Sequence, residues 1–401
     1  MTKTIKLSLA AVMAAGIATT ATAANLEDAI KGVDVSGYVD YRLENKTVEK
    51  DSSKSFDLNE YSVNVTLTSK VNDIVKATVS AGFDEVTTGN NNTDNYGSYT
   101  ADQDTSAPVG VDKAYFTFSL GATTVLAGKQ DIPSAFVDKT DTVKQGAGVV
   151  ALHTVNDTLT VAGAHFINNN IAKVYGLAVA AENTKTTELL ALGKVAMVDY
   201  AVHYNMTDIS GLYGGTDADH LYVKLGADVS GVKLGFKHAT GSTDSADGTK
   251  WADASVTQLS AATKVGTLGL KAGYMMADKE QGTNAAQSDV ALDGDNDADV
   301  HFKVWQLSSS AIANKGNGMM IGADMPVVEK VTVGATYAIA TDDGVAAAKD
   351  TDYSELLLTA TYKMSKNFTI HGRYSMLNKD TNVANGSVDT DYSRIQVKYT
   401  F

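Results

Sequence analysis

Polar and apolar residues alternate along most of this chain. From Tyr392 to Phe401, Ile395, Val397, Tyr399 and Phe401 share one phase, and Arg394, Gln396, Lys398 and Thr400 share the other. Side chains of a strand point to opposite faces with period two, so this stretch has one greasy face and one wet, charged face. The first such stretch sets Val35, Val39, Tyr41 and Leu43 against Asp34, Ser36, Asp40, Arg42 and Glu44. The next sets Tyr61, Val63, Val65 and Leu67 against Ser62, Asn64, Thr66 and Thr68. The same grammar recurs in Val75–Asp84, Ala114–Leu120, Thr158–Ile167, Leu221–Val229, Val232–Phe236, Leu268–Met276, Val331–Ile339 and Phe368–Met376. So many stretches with one phase contrast argue against a helical or α/β chain.

The connections alternate in length. Gly121-Ala122, Asn156-Asp157, Ser230-Gly231, Gly266-Thr267 and Ser365-Lys366 are tight, whereas Glu85–Gly110, Asp131–Gln145, Gly241–Ala252 and Asp278–Gly316 are long and polar. One connection on the long side, Asn168–Ile171, is short. Tight turns on one side and long loops on the other are expected of an all-β transmembrane antiparallel barrel, with short periplasmic turns and long extracellular loops. Pro108, Pro133 and Pro326 all fall in connections, as a closed sheet without edges requires. Reading Thr187–Met206 as one long strand, and placing Val300–Ser308 inside a long loop, gives about 18 strands. Splitting the former and counting the latter gives 20. Both numbers are even, as a single-chain bacterial barrel should be.

Residues 1–23 are expected to be a secretory signal peptide and 24–401 the barrel. Lys3 and Lys6 form a basic start, Leu7–Ala18 a short apolar core, and Ala21-Thr22-Ala23 a cleavage site. That apolar core is too short to span a bilayer, and no other run is longer, so a membrane location requires a barrel. The formal net charge is −14, or −16 without Lys3 and Lys6. Such an excess of acid argues against nucleic acid and favours attraction of cations. With no cysteine, disulfides, thiolate metal sites and a Cys nucleophile are excluded. Motifs for zinc hydrolases, serine hydrolases and phosphate loops are absent, and the seven histidines are scattered singly, so no enzyme is expected.

Candidate chemistry lies on the wet phase. Arg42, Arg373 and Arg394 are the three arginines, and all take inward positions on the first and last two strands. Those strands are neighbours if the sheet closes, so the guanidinium charge forms one patch. It reads either as the positive wall of a constriction or as ion pairing with Asp40, Glu44 or Glu355. Lys76, Lys113, Lys129, Lys224, Lys233, Lys237, Lys271 and Lys398 also read as inward. The loop after the fifth strand carries Asp131, Asp138 and Asp141 with Pro133 and Phe136. Folded into the lumen, it would narrow the pore and set acid opposite the arginines, the arrangement by which pores select ions. Glu44 and Lys129 complete the expected pore lining. Asp293, Asp295, Asp297 and Asp299 suggest Ca2+, but Ala298 stands where a calcium loop needs Gly and Val304 where it needs Glu.

Leu26–Arg42, Val125–Gln130, Val331–Tyr337 and Arg394–Phe401 resemble, in order, segments of the major outer membrane porin family of Campylobacter and related bacteria. The final strand also resembles the one that outer-membrane proteins present to the barrel-insertion machinery. The resemblance implies an 18-stranded trimeric diffusion porin in the bacterial outer membrane, passing small hydrophilic solutes with modest cation preference. It also implies Ca2+ near the constriction, with Asp138 and Asp141 carried over to the inward loop. The alternatives are an adhesin acting through its extracellular loops, above all Asp278–Gly316, and a barrel enzyme.

Overall fold

The computed structural model describes residues 32–49, 55–88, 109–137, 145–169, 184–209, 216–245, 253–279, 299–300, 303–307, 315–343, 350–381 and 386–401. Eighteen strands form one sheet: β1 (Val33–Val48), β2 (Phe56–Lys70), β3 (Val75–Thr88), β4 (Gly110–Leu120), β5 (Thr123–Asp131), β6 (Gln145–Asn156), β7 (Leu159–Asn169), β8 (Thr184–Val195), β9 (Val198–Ile209), β10 (Thr216–Val229), β11 (Val232–Ser245), β12 (Ala254–Val265), β13 (Leu268–Lys279), β14 (Lys315–Val328), β15 (Val331–Asp343), β16 (Thr351–Lys363), β17 (Phe368–Thr381) and β18 (Ser387–Thr400). Each strand pairs antiparallel with its sequence neighbours, and β18 pairs back onto β1 from Tyr38↔Thr400 to Val48↔Thr390. No edge is left for water to satisfy, which is the condition for a sheet in hydrocarbon. No described helix is long and apolar enough to cross a membrane.

Burial on the two faces is inverted relative to a soluble domain. Along β1, Val39, Tyr41 and Leu43 are 46, 44 and 43 % exposed, whereas Asp40 and Glu44 are 2 and 3 % exposed. The same outward apolar band continues through Ile321, Tyr337, Leu358 and Ile395. Apolar side chains outside and ionisable ones inside suit lipid around the ring and water within it. The turns sort as the alternation predicts. Those after β4, β10 and β12 are tight, with Gly121, Gly231 and Gly266 at positive φ (65, 84 and 62°), a region glycine enters without steric cost.

One strand expectation fails. Thr187–Met206 is not one strand but the hairpin of β8 and β9, closed at Val195↔Val198. Its turn uses Ala196 at φ 53°, so no Gly, Asn or Pro marks it in the sequence. The total of 18 stands on a different division, because β8 is the next described strand after β7. The short connection Asn168–Ile171 runs into residues 170–183, outside the described residues. The described part of the 300–308 stretch, Val300 and residues 303–307, forms no wall strand and lies within the long loop, as expected; its place inside the ring is a finding of the structure.

The seam is completed below Tyr38. Gly37 and Phe401 exchange two backbone hydrogen bonds of 3.0 Å. A Cβ on Gly37 would lie 2.8 Å from the Phe401 ring. Gly37→Val is therefore expected to loosen the β1–β18 seam, at about 1–3 kcal/mol for an overpacked site. Urea titration of the barrel in detergent, followed by its heat-dependent gel mobility, checks this.

Candidate functional site

Two inward segments occupy the bore. The first follows β5. Pro133 cannot continue a ladder, and Ile132, Ala135, Phe136 and Val137 need apolar cover. They find it inside the ring: Phe136 lies 5.1 Å from His220 and 6.2 Å from Tyr222, both on the inward phase of β10. Ser134 bonds Glu188 of β8, a fully buried carboxylate that also accepts from Asn205 Nδ2 at 2.6 Å and lies 3.1 Å from His203 Nδ1.

The second segment comprises the described residues 299–300 and 303–307 of the longest loop. Asp299 accepts from the Tyr222 hydroxyl at 2.6 Å and from Lys224 and Lys237 Nζ at 3.2 and 3.3 Å. The Val300 carbonyl accepts from Gln258 of β12, and the Val300 N–H donates to the Ala135 carbonyl at 3.3 Å, joining the two segments. Farther along, the backbone N–H groups of Trp305, Gln306 and Leu307 donate to Glu355 of β16 at 3.4, 3.1 and 2.7 Å. Ser375 Oγ donates to the same carboxylate at 2.7 Å. The guanidiniums of Arg373 and Arg394 sit 5.6 and 5.5 Å from the Trp305 ring centroid, within cation–aromatic range. The segment thus reaches from β10–β12 to β16–β18 and bars a chord of the bore.

Burial divides the interior into two sides. The apolar cluster draws on the two inner segments, β5–β7 and β10–β17. Among the described residues it has no member on β1–β4 or β18. The arginines lie on the other side, on β17, β18 and β1. Arg42 pairs with Asp40 at 3.2 Å and Glu60 at 2.6 Å, and Arg394 Nε donates to Glu44 at 2.5 Å. Arg373 and Arg394 face each other directly in register. Like charges opposite each other repel, and here Glu44 and the Trp305 face offset that repulsion.

The structure brings together Arg42, Glu44, Arg373 and Arg394, as the strand phases imply. Of the carboxylates expected to pair with them, Asp40 and Glu44 do so. Glu355 instead holds backbone. Glu60 is a partner that sequence reading missed, although it sits opposite Arg42 in the β1–β2 register. Of the three loop acids Asp131 is the described one, and it pairs with Lys113 on β4, beside its own strand. Lys129 stands opposite Ala114, on the phase of the lipid-facing Phe116, and its Nζ donates to the Val111 carbonyl at 2.7 Å. It lies at the rim and not at the arginine patch, next to a break in alternation at Gly128 (φ 133°). Asp138, Asp141, Asp293, Asp295 and Asp297 lie outside the described residues. Among the described residues no three His, Asp or Glu side chains group to hold a metal.

The sequence model described as Campylobacter major outer membrane protein matches residues 2–401. The chain belongs to that family. No curated protein matches it. Solved structures similar to this member of the family include Pseudomonas aeruginosa OpdQ, at 12 % identity and TM-score 0.67, covering 92 % of this chain and 98 % of that one. Acinetobacter baumannii OccAB3 and Pseudomonas aeruginosa OpdK with vanillate each match at 10 % identity and TM-score 0.67, covering 92 % of this chain and 99 % of theirs. At such identities the likeness is one of fold. The family places the barrel in the bacterial outer membrane.

Asp299 fixes one end of the inner segment. Burial alone would raise its carboxyl, but Lys237, the Tyr222 hydroxyl and Lys224 outweigh burial and hold it below the ordinary value of 3.8. An acid held low in the folded state contributes stability above its unfolded value and loses it only as pH falls through the lowered folded value. Trp305 reports docking, since Trp251 is the only other tryptophan. In a Trp251→Phe background its emission is expected to hold from pH 7 down to about 4. Adding Lys237→Met is expected to raise the pH at which emission shifts.

Proposed function

We propose that this outer-membrane porin passes small hydrophilic solutes and ions by passive diffusion, with a weak preference for cations, along the wall of β17, β18 and β1–β4. The observation that carries this reading is the ion pairing on that wall: Arg42 with Asp40 and Glu60, and Arg394 with Glu44. These arginines are largely neutralised in place. They fix the wall's shape, because a guanidinium holds its fork rigidly against carboxylates. Small cations then gain from the acidic chain as a whole.

The function needs no chemistry beyond shape and charge. Water wets one side of the bore, and the apolar cluster excludes it from the other. On this reading the barrel also assembles as a homotrimer and offers β18 to the insertion machinery. Vanillate, seen with OpdK, makes small organic acids a sensible solute panel.

Stepwise ohmic conductance in planar bilayers, with a zero-current potential of cation-selective sign in a KCl gradient, is the expected result. A silent barrel, or an anion-selective potential, would sink the reading. Glu60→Gln is expected to lower the cation-to-anion permeability ratio by roughly sevenfold at low salt, the worth of one charge about 7 Å away in water acting with opposite sign on the two ions. The effect should shrink in high salt as the charge is screened.

A further inference from the structure

At its far end the inner segment is held by a carboxylate and by the seat of Trp305 against Arg373, Arg394 and Tyr392. Glu355 is fully buried, and its partners are three successive backbone N–H groups and the Ser375 hydroxyl. A charged acceptor serving three donors is stronger than the same number of neutral bonds, and its removal would leave those donors buried without partners. The wall itself supplies one partner, the Ser375 hydroxyl of β17, and the direct neighbours of Glu355 in register, Ala338 and Leu377, are both apolar. The other three donors come from the segment it grips. Apolar packing of Val300 and Leu307 supports the same placement, but only the carboxylate fixes the backbone of 305–307 against β16.

We propose that Glu355 is the positioning residue that sets the solute size limit of the pore. It holds the 303–307 stretch across the bore, and that stretch confines permeating solutes to the β17, β18 and β1–β4 wall. Asp299 is the second anchor, at the β10–β11 end. Released from Glu355, the stretch loses its seat, Trp305 leaves the arginine pair, and the free cross-section widens. This rests on the channel reading above.

The test uses the full-length refolded protein in planar bilayers, with Glu355→Ala, Glu355→Gln and Asp299→Asn. Step conductance is measured together with the largest neutral polyethylene glycol that still lowers it. Glu355→Ala is expected to raise conductance about twofold and to admit larger polymers, as a wider constriction should. Glu355→Gln keeps one oxygen for the Gln306 and Leu307 N–H groups and is expected to fall between. In the Trp251→Phe background, Trp305 emission should shift red in step with the conductance. Should Glu355→Ala not form a barrel, Asp299→Asn and Leu307→Ser carry the same expectation. A conducting wild type whose variants keep its conductance and size limit overturns this proposal alone. So does a red-shifted Trp305 at unchanged conductance, because the stretch then moves without limiting flow. A silent wild type overturns the channel reading, and this proposal with it.

Discussion

Hydrocarbon offers a peptide group nothing to bond, so every strand of this chain must be paired on both sides. The β1–β18 seam is the contact that makes this possible, and the rest of the structure depends on it. Eleven register pairs link two segments that lie at opposite ends of the chain. Once they meet, each strand has one face toward oil and one toward the bore. The inversion along β1, with tyrosine and leucine outside and buried carboxylates inside, is a consequence of closure and not a separate design. Gly37 matters for the same reason, because it lets the Phe401 ring lie over the backbone where the ring closes.

A closed wall of this size encloses more space than side chains of the wall can fill. Among the described residues two loop segments turn inward, and each is held by a buried acid on the wall, Glu188 for the first and Glu355 for the second. Acids suit this role. A loop that leaves the sheet brings unpaired N–H groups with it, and a carboxylate can satisfy several at once. The apolar residues of both loops then pack on the inward phase of β10–β16, making a core inside the ring. That core is what makes the lumen asymmetric. A uniformly lined barrel would have no preferred wall.

Much of this was legible in the sequence, and the limits have physical reasons. Alternation gave the inward phase of Arg42, Arg373 and Arg394, and closure then made them neighbours. Apolar residues in a polar loop, Phe136 above all, signalled a segment in need of cover. Their seats were not legible. Glu355 lies 48 residues from Leu307, and Tyr222 lies 77 from Asp299, so no local pattern links them. Glu60 was a nearer miss: the β1–β2 register places it opposite Arg42, but register across a seven-residue loop is not set by alternation alone. The β8–β9 turn escaped because Ala196 takes a backbone conformation that sequence readers expect of glycine.

The arginine patch shows why phase alone cannot assign charge to a pore. Three guanidiniums on one wall suggest a positive constriction. Their carboxylate partners, however, come from the same inward phase, on β1 and β2. A patch read from one residue type therefore overstates its field, because barrels place partners at cross-strand positions where desolvation on a wet wall is mild. The direct Arg373–Arg394 opposition is the exception that tests this. Arg394 pairs with Glu44 across the seam, and both arginines rest on a ring that the inner segment supplies. An aromatic face stabilises a guanidinium without neutralising it. Closure of the seam and docking of the segment are thus coupled at this point: the wall seats Trp305, and Trp305 lets two like charges stand side by side.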